Sequence, residues 1–293
     1  MSKHSPHRKG GRKRFPPGSH AREPQTEEER LLEAAYRSAL GDERLAHDDL
    51  MGAIDAYRQA AQYDGNSVDY RLRLAEAYLF AEQPLEAYQQ FQQVLRQAPN
   101  CSEAFLGLAE IYRQAGRPES ELAAYRRASA LAADRAYFHY LLAEAFWRRG
   151  LIRDAEAEFQ VALTLEPDES LYYFRLAELY LREQGVEEAL MALKRAVECA
   201  PWDDYYHAYL GAVYAQQRRW REAILFFQKA LQIRPHQRCH YAMLGEVYQS
   251  LGLVEQAENC RRQAGTLDAY DRDYIRRLWE GARGHHPGRP PLQ

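Results

Sequence analysis

The sequence predicts an all-α chain in which seven helix–turn–helix units follow one another without an insertion. Three observations carry that expectation. Side-chain types recur at a period of 34 residues, the recurring apolar positions fall at helical spacing, and glycine or proline interrupts the pattern at set points in each period.

Blocks that start at residues 34, 68, 102, 136, 170, 204 and 238 bring the period into register. In the first half of each block, position 7 is Leu40, Leu74, Leu108, Leu142, Leu176, Leu210 or Leu244. Position 8 is always small: Gly41, Ala75, Ala109, Ala143, Ala177, Gly211, Gly245. Position 11 is Arg44 in the first block and then Tyr78, Tyr112, Phe146, Tyr180, Tyr214 and Tyr248. With position 4 these make one face of a helix, large residues filling space and the small one admitting a neighbouring backbone.

In the second half, position 20 is Ala except at Glu121, and position 24 is Tyr57, Phe91, Tyr125, Phe159, Leu193, Phe227 and Arg261. Position 27 is Ala60, Val94, Ala128, Ala162, Ala196, Ala230 and Ala264. This is the face of a second helix meeting the first. Gly116, Gly150, Gly185 and Gly252 are expected to supply the turn between the two. Pro99, Pro167, Pro201 and Pro235 at position 32 stop the second helix, since a proline ring clashes inside a continuing helix. The first and last blocks depart from the pattern at Arg44, Gly65, Arg261 and Ala269, as terminal units facing solvent do. Glu121 is an internal departure that the pattern does not explain.

This spacing of Leu, Gly/Ala, Tyr, Ala, aromatic, Ala and Pro resembles the tetratricopeptide repeats over residues 34–271, about four fifths of the chain. The resemblance implies a right-handed superhelical solenoid of seven 34-residue repeats. Residues 27–267 are expected to form the solenoid. Tyr270, Tyr274, Ile275, Leu278 and Trp279 share a helical stripe, so 268–281 is expected to be a C-terminal capping helix. Residues 1–26 form a basic tail and 282–293 a Pro/Gly-rich tail, both expected to be disordered.

Composition narrows the class. Hydrophobic residues make up 46% of 293 and aromatics 12%, enough to build a core. No apolar run is long enough to span a membrane, and the N-terminus has no apolar segment of a secretory signal behind its charges. The four cysteines lack close pairing, so they read as reduced packing thiols in a cytoplasmic protein. Charge is uneven. Residues 1–22 hold seven basic side chains and no acid, residues 271–293 carry a net +2, and the remainder carries −12 of the overall −3.

No phosphate loop, zinc-protease motif or nucleophile elbow occurs, so no enzyme and no cofactor are expected. His236, Cys239 and His240 lie close in sequence, but they straddle an inter-repeat turn without a second pair, which favours packing over a metal. His139 and His207 take position 4, where Tyr173 and Tyr241 also occur, and read as packing residues.

The resemblance implies that the first helices line a concave groove through positions 2, 5, 9, 12 and 13. Position 9 reads Asp42, Glu76, Glu110, Glu144, Glu178, Ala212 and Glu246, an acidic ladder. Positions 2, 5 and 12 add Tyr137, Tyr140, Trp147, Phe174 and Tyr205, expected to be rings on an open surface. Glu144 with Arg148 and Glu178 with Arg182 stand four apart and can pair. The expected role is a scaffold or adaptor that binds a basic, partly apolar peptide or helix of a partner protein in this groove. Positions 5 and 9 lack the Lys and Asn that the family's carboxylate clamps carry. The alternative is an adaptor for nucleic acid or ribosomes through Arg8, Lys9, Arg12, Lys13 and Arg14 of the tail, which could instead dock along Asp42, Glu76 and Glu110.

Overall fold

The computed structural model describes residues 26–265, which hold fourteen α-helices and no strand. In chain order they are α1 (Glu27–Ala46), α2 (Leu50–Tyr63), α3 (Val68–Phe80), α4 (Pro84–Gln97), α5 (Ser102–Gln114), α6 (Pro118–Leu131) and α7 (Ala136–Arg148). There follow α8 (Ile152–Leu165), α9 (Ser170–Arg182), α10 (Val186–Cys199), α11 (Asp204–Gln216), α12 (Trp220–Ile233), α13 (Arg238–Ser250) and α14 (Val254–Gly265). The capping helix expected at 268–281, the tail at 282–293 and the basic side chains of the N-terminal tail lie outside the described residues.

The helices keep the period of the sequence. From α3 to α13 every first helix starts on position 1 and runs 13 residues, and every second helix starts on position 17. The chain divides at Gln93 and Val94, within α4, into two compact units. In the first unit α1 packs on α2 and α2 on α3. In the second unit each helix from α5 to α14 packs on the next, so every helix pair shares a face with the pair after it.

The turn inside each repeat is set by backbone. Position 15 is left-handed in all seven repeats, with φ between 55° and 73° at Asp48, Glu82, Gly116, Gly150, Gln184, Arg218 and Gly252. The N–H at position 16 donates to the carbonyl at position 11 in each turn, at 2.9–3.0 Å. This 6→1 bond with a left-handed residue is a Schellman closure. Gly185, expected to supply turn backbone, sits one residue later at an ordinary φ of −79°, and Gln184 takes the left-handed position instead. Hydrogen bonding and packing therefore hold the turn even where the residue is not glycine.

The small and large positions meet as the sequence implies. A Cβ added to Gly41 would come within 2.5 Å of the Tyr57 ring, and one added to Gly211 within 3.1 Å of Phe227. Position 8 thus lies against position 24 of its own repeat. Phe227 is completely buried there, worth about 1.5–3 kcal/mol relative to exposure. In the last repeat the nearest atom to Gly245 is the Cys260 Cβ, while Arg261 turns outward and donates to Gln249 at 2.6 Å. At the other end Arg44 stands in place of an aromatic and donates to the Gly52 carbonyl at 2.7 Å, tying α1 to α2.

Glu121 also finds its reason. It is buried on α6, and its carboxylate accepts a hydrogen bond from Arg148 at the end of α7. The internal departure is one half of an ion pair between successive repeats.

Candidate functional site

In the second unit the first helices α5, α7, α9, α11 and α13 bring side chains of successive repeats together. The core of the candidate site is Arg175 on α9. Its Nε and Nη2 donate to the two Glu144 oxygens at 2.7 and 2.6 Å, and its Nη1 donates to Glu178. The guanidinium lies 4.7 Å from the Trp147 ring centroid, a cation–π contact. Burial alone would lower the Arg175 pKa, but the bonds to Glu144 and the charge of both carboxylates raise it. Glu178 is pushed above the ordinary carboxylate range by burial, against the lowering pull of Arg175.

This arrangement corrects the pairing expected from spacing along one helix. Glu144 pairs with Arg175 rather than Arg148, which is taken by Glu121. Glu178 also pairs with Arg175, and Arg182 has no ion pair among the described residues. At Glu144 the four-residue spacing loses to the next repeat, where Arg175 meets the carboxylate with two donors; at Glu178 it loses to the three-residue spacing on the same helix.

The aromatic cluster is corrected too. Trp147 is 3% exposed and Phe174 7%, so neither is a ring on an open surface. Trp147 packs beneath Arg175 and against Leu176 and Leu179 of the next repeat. Phe174 is enclosed by Tyr205, Tyr206 and Tyr209 at centroid distances of 4.9–5.5 Å. Glu144 is buried as well, because it faces Arg175 and not solvent. Tyr140 and Tyr205 are half-buried, and Tyr137 is exposed. Tyr137 stacks on Tyr140 at 6.2 Å, which stacks on the buried Tyr172 at 5.0 Å. Burial, and then the charge of Glu144, push the Tyr140 phenol up to about 12.

The remaining acids have varied surroundings. Glu110 is half-buried and bound by Arg113, whose hydrogen bond holds the carboxyl below its ordinary value. Glu246 is exposed on α13. In the first unit Asp42 is exposed, accepts from the Tyr57 hydroxyl at 2.7 Å and pairs with Arg73 at 2.5 Å. Glu76 is exposed on α3. Asp42 and Glu110 therefore already hold cations of their own.

Two features were not singled out in the sequence. One is Arg175, at position 6 of its block. The other is Asp204, buried on α11, which accepts from His240 at 2.8 Å and pairs with Arg234 at 3.1 Å. His240 is fully buried and Cys239 lies beside it, so this corner is core rather than a ligand set. Among the described residues no group of three His, Cys, Asp or Glu side chains is placed to hold a metal ion. His139 is buried with its Nδ1 2.7 Å from the Glu158 carboxylate, and buried His207 reaches the Pro201 carbonyl at 3.0 Å. No helix among the described residues is long and apolar enough to cross a membrane.

Comparison with known proteins agrees with this architecture. One tetratricopeptide repeat family model matches residues 72–137 and 140–204, and a second matches 204–237, together more than half of the chain. No curated protein sequence matches. Among solved structures, PilF of Pseudomonas aeruginosa superposes with a TM-score of 0.56 at 15% identity, over 73% of this chain and 96% of that one. PilW, titled a widely conserved type IV pilus biogenesis factor, gives 0.56 at 17% identity, over 72% of this chain and 97% of its own. MamA from Desulfovibrio magneticus RS-1 gives 0.50 at 18% identity, over 57% and 94%. At these identities the likeness is one of fold. The period, the helix pairs, the position-11 closure and the family match together make this chain a member of the tetratricopeptide repeat family.

Proposed function

We propose that this chain is a non-catalytic scaffold or adaptor that binds a peptide or helix of a partner protein along the first helices of its second unit. The observation that carries this reading is the Tyr137–Tyr140–Tyr172 stack. An exposed ring, 49% accessible, is held in place from below by a half-buried and a buried one. A rigid aromatic with an apolar body and a polar tip is the usual energetic anchor of a protein interface. Beside it lies a network with two carboxylates and one guanidinium, which favours a partner that is basic and partly apolar.

The test is selection of peptides from a displayed library on the full-length protein, followed by titration of the selected sequences. Tyr137→Ala should weaken their binding about tenfold or more, as loss of an anchor does, with the helical circular dichroism unchanged. Selected peptides that bind Tyr137→Ala as well as the wild type would remove the reading.

A further inference from the structure

The ion pairs between first helices follow a register. Position 9 of one repeat meets position 6 of the next, 31 residues on. Asp42 meets Arg73 in this way, and Glu144 meets Arg175. At Glu178 the same register arrives at Tyr209, a phenol where the other two repeats place a guanidinium.

The consequences appear in the side chains. Tyr209 is fully buried, and its hydroxyl has no hydrogen-bond partner. It sits in the field of the Glu178 carboxylate, the Tyr205 phenol and Arg175, and burial followed by the Glu178 charge drives its pKa far up. Glu178 Oε2 accepts from Arg175 Nη1, the carboxylate's only hydrogen bond among the described residues, and the side chain keeps 19% exposure. Arg175 spends its other donors on Glu144, so one guanidinium serves two carboxylates and the cluster keeps a net negative charge. Burial pushes the Glu178 carboxyl up, as expected of an acid short of a cation.

We propose that Glu178, together with the half-buried Tyr205 whose ring lies 5.9 Å from that of Tyr209, is a seat for the guanidinium of an arginine side chain supplied by the partner protein. The proposal rests on the groove reading above and names the group that would enter. A guanidinium fits better than an ammonium for two reasons. Its planar fork matches a carboxylate edge, and its face stacks on rings such as Tyr205. The chain displays the same chemistry one repeat earlier, where Arg175 grips Glu144 while lying on Trp147.

The test uses N-acetyl-arginine amide as the probe and the isosteric, uncharged N-acetyl-citrulline amide as its control. Both are titrated into full-length protein carrying labelled tyrosine rings and followed by NMR. The arginine probe should shift the Tyr205 and Tyr209 signals saturably, and the citrulline probe should not. Glu178→Gln should weaken arginine binding about tenfold, the effect of removing a charged hydrogen-bond partner. Tyr205→Leu removes the half-buried ring on which the guanidinium would stack while leaving Glu178 in place, so it should also bind the probe less tightly, read at the Tyr209 signal. It decides the matter if Glu178→Gln proves unstable. Equal shifts with citrulline, or undiminished arginine binding by both variants, would overturn the seat. The groove reading is scored apart. Peptides that need Tyr137 yet contain no basic residue would keep the groove and discard the seat, whereas arginine binding without any Tyr137-dependent peptide would keep the seat and discard the groove.

Discussion

Arg175→Met isolates the energetic role of the central network. Methionine keeps enough length to cover Trp147 but deletes three charge-assisted hydrogen bonds, two to Glu144 and one to Glu178. The three side chains retain 20%, 11% and 19% exposure, so the carboxylates left behind are largely cut off from water. Breaking a buried ion pair costs about 3–5 kcal/mol, and the residual exposure places the expected loss near the lower end, about 3 kcal/mol. The loss should depend on pH. Burial already holds the Glu178 carboxyl above its ordinary value, opposed by Arg175. Without Arg175, burial and the Glu144 charge remain, and both raise it further. A carboxyl raised in the folded state binds more protons there than in the unfolded chain. Stability then falls as pH rises above the unfolded value of about 4.3. The variant should therefore lose more at about pH 8 than at about pH 5. Urea denaturation followed by far-UV circular dichroism at the two pH values measures both effects. A cost under about 1 kcal/mol, the scale of an exposed pair, would refute the network. So would an equal cost at both pH values.

Further substitutions test the frame around the site. Gly150→Ala should destabilise by about 1–2 kcal/mol although an added Cβ meets no atom within 4 Å, because the cost is the left-handed backbone alone. Arg218→Gly at the same position should raise the melting temperature, and a fall would show that the side chain matters more than φ. Ala162→Leu should cost about 1–3 kcal/mol by overpacking a fully buried position, while exposed Arg153→Leu should change little, and equal effects would break the register. Asp204→Asn should cost about 1–3 kcal/mol at neutral pH by withdrawing the carboxylate from buried His240. Burial would raise the Asp204 carboxyl, but the His240 bond and the charges of His240 and Arg234 outweigh it and hold the pKa low. That contribution is present above the unfolded carboxyl value and lost as pH falls through the folded one, so the Asn variant should show a flatter acid limb in the same denaturation series.

The fold was legible because its rules are local. Position 8 must be small because position 24 of the same repeat lies on it, and the two are only 16 residues apart, as at Gly41 and Tyr57. The turns were legible in place but not in detail. Glycine at Gly116, Gly150 and Gly252 advertises a left-handed residue, while Gln184 and Arg218 adopt the same φ without any such sign. The candidate site was less legible, because its central pair joins successive repeats. Four-residue spacing on one helix suggested Arg148 for Glu144, whereas the partner is Arg175, 31 residues away. Burial was the other obstacle. Trp147 and Phe174 hold groove positions in the repeat pattern, but large side chains on the neighbouring helices close over them. Pairing each position 9 with the next position 6 would have found Arg73 and Arg175 from sequence.

The Glu121–Arg148 pair makes the repeats addressed modules rather than interchangeable ones. A buried acid at position 20 of the third repeat requires a base at position 13 of whichever repeat follows. Only the fourth and fifth repeats offer one, as Arg148 and Arg182, while the sixth and seventh present Gln216 and Ser250. A shuffled chain that placed the sixth repeat after the third would preserve every glycine, alanine and ring of the pattern and still strand a carboxylate in its core. The order of repeats in this solenoid is thus written into charge as well as into the chain.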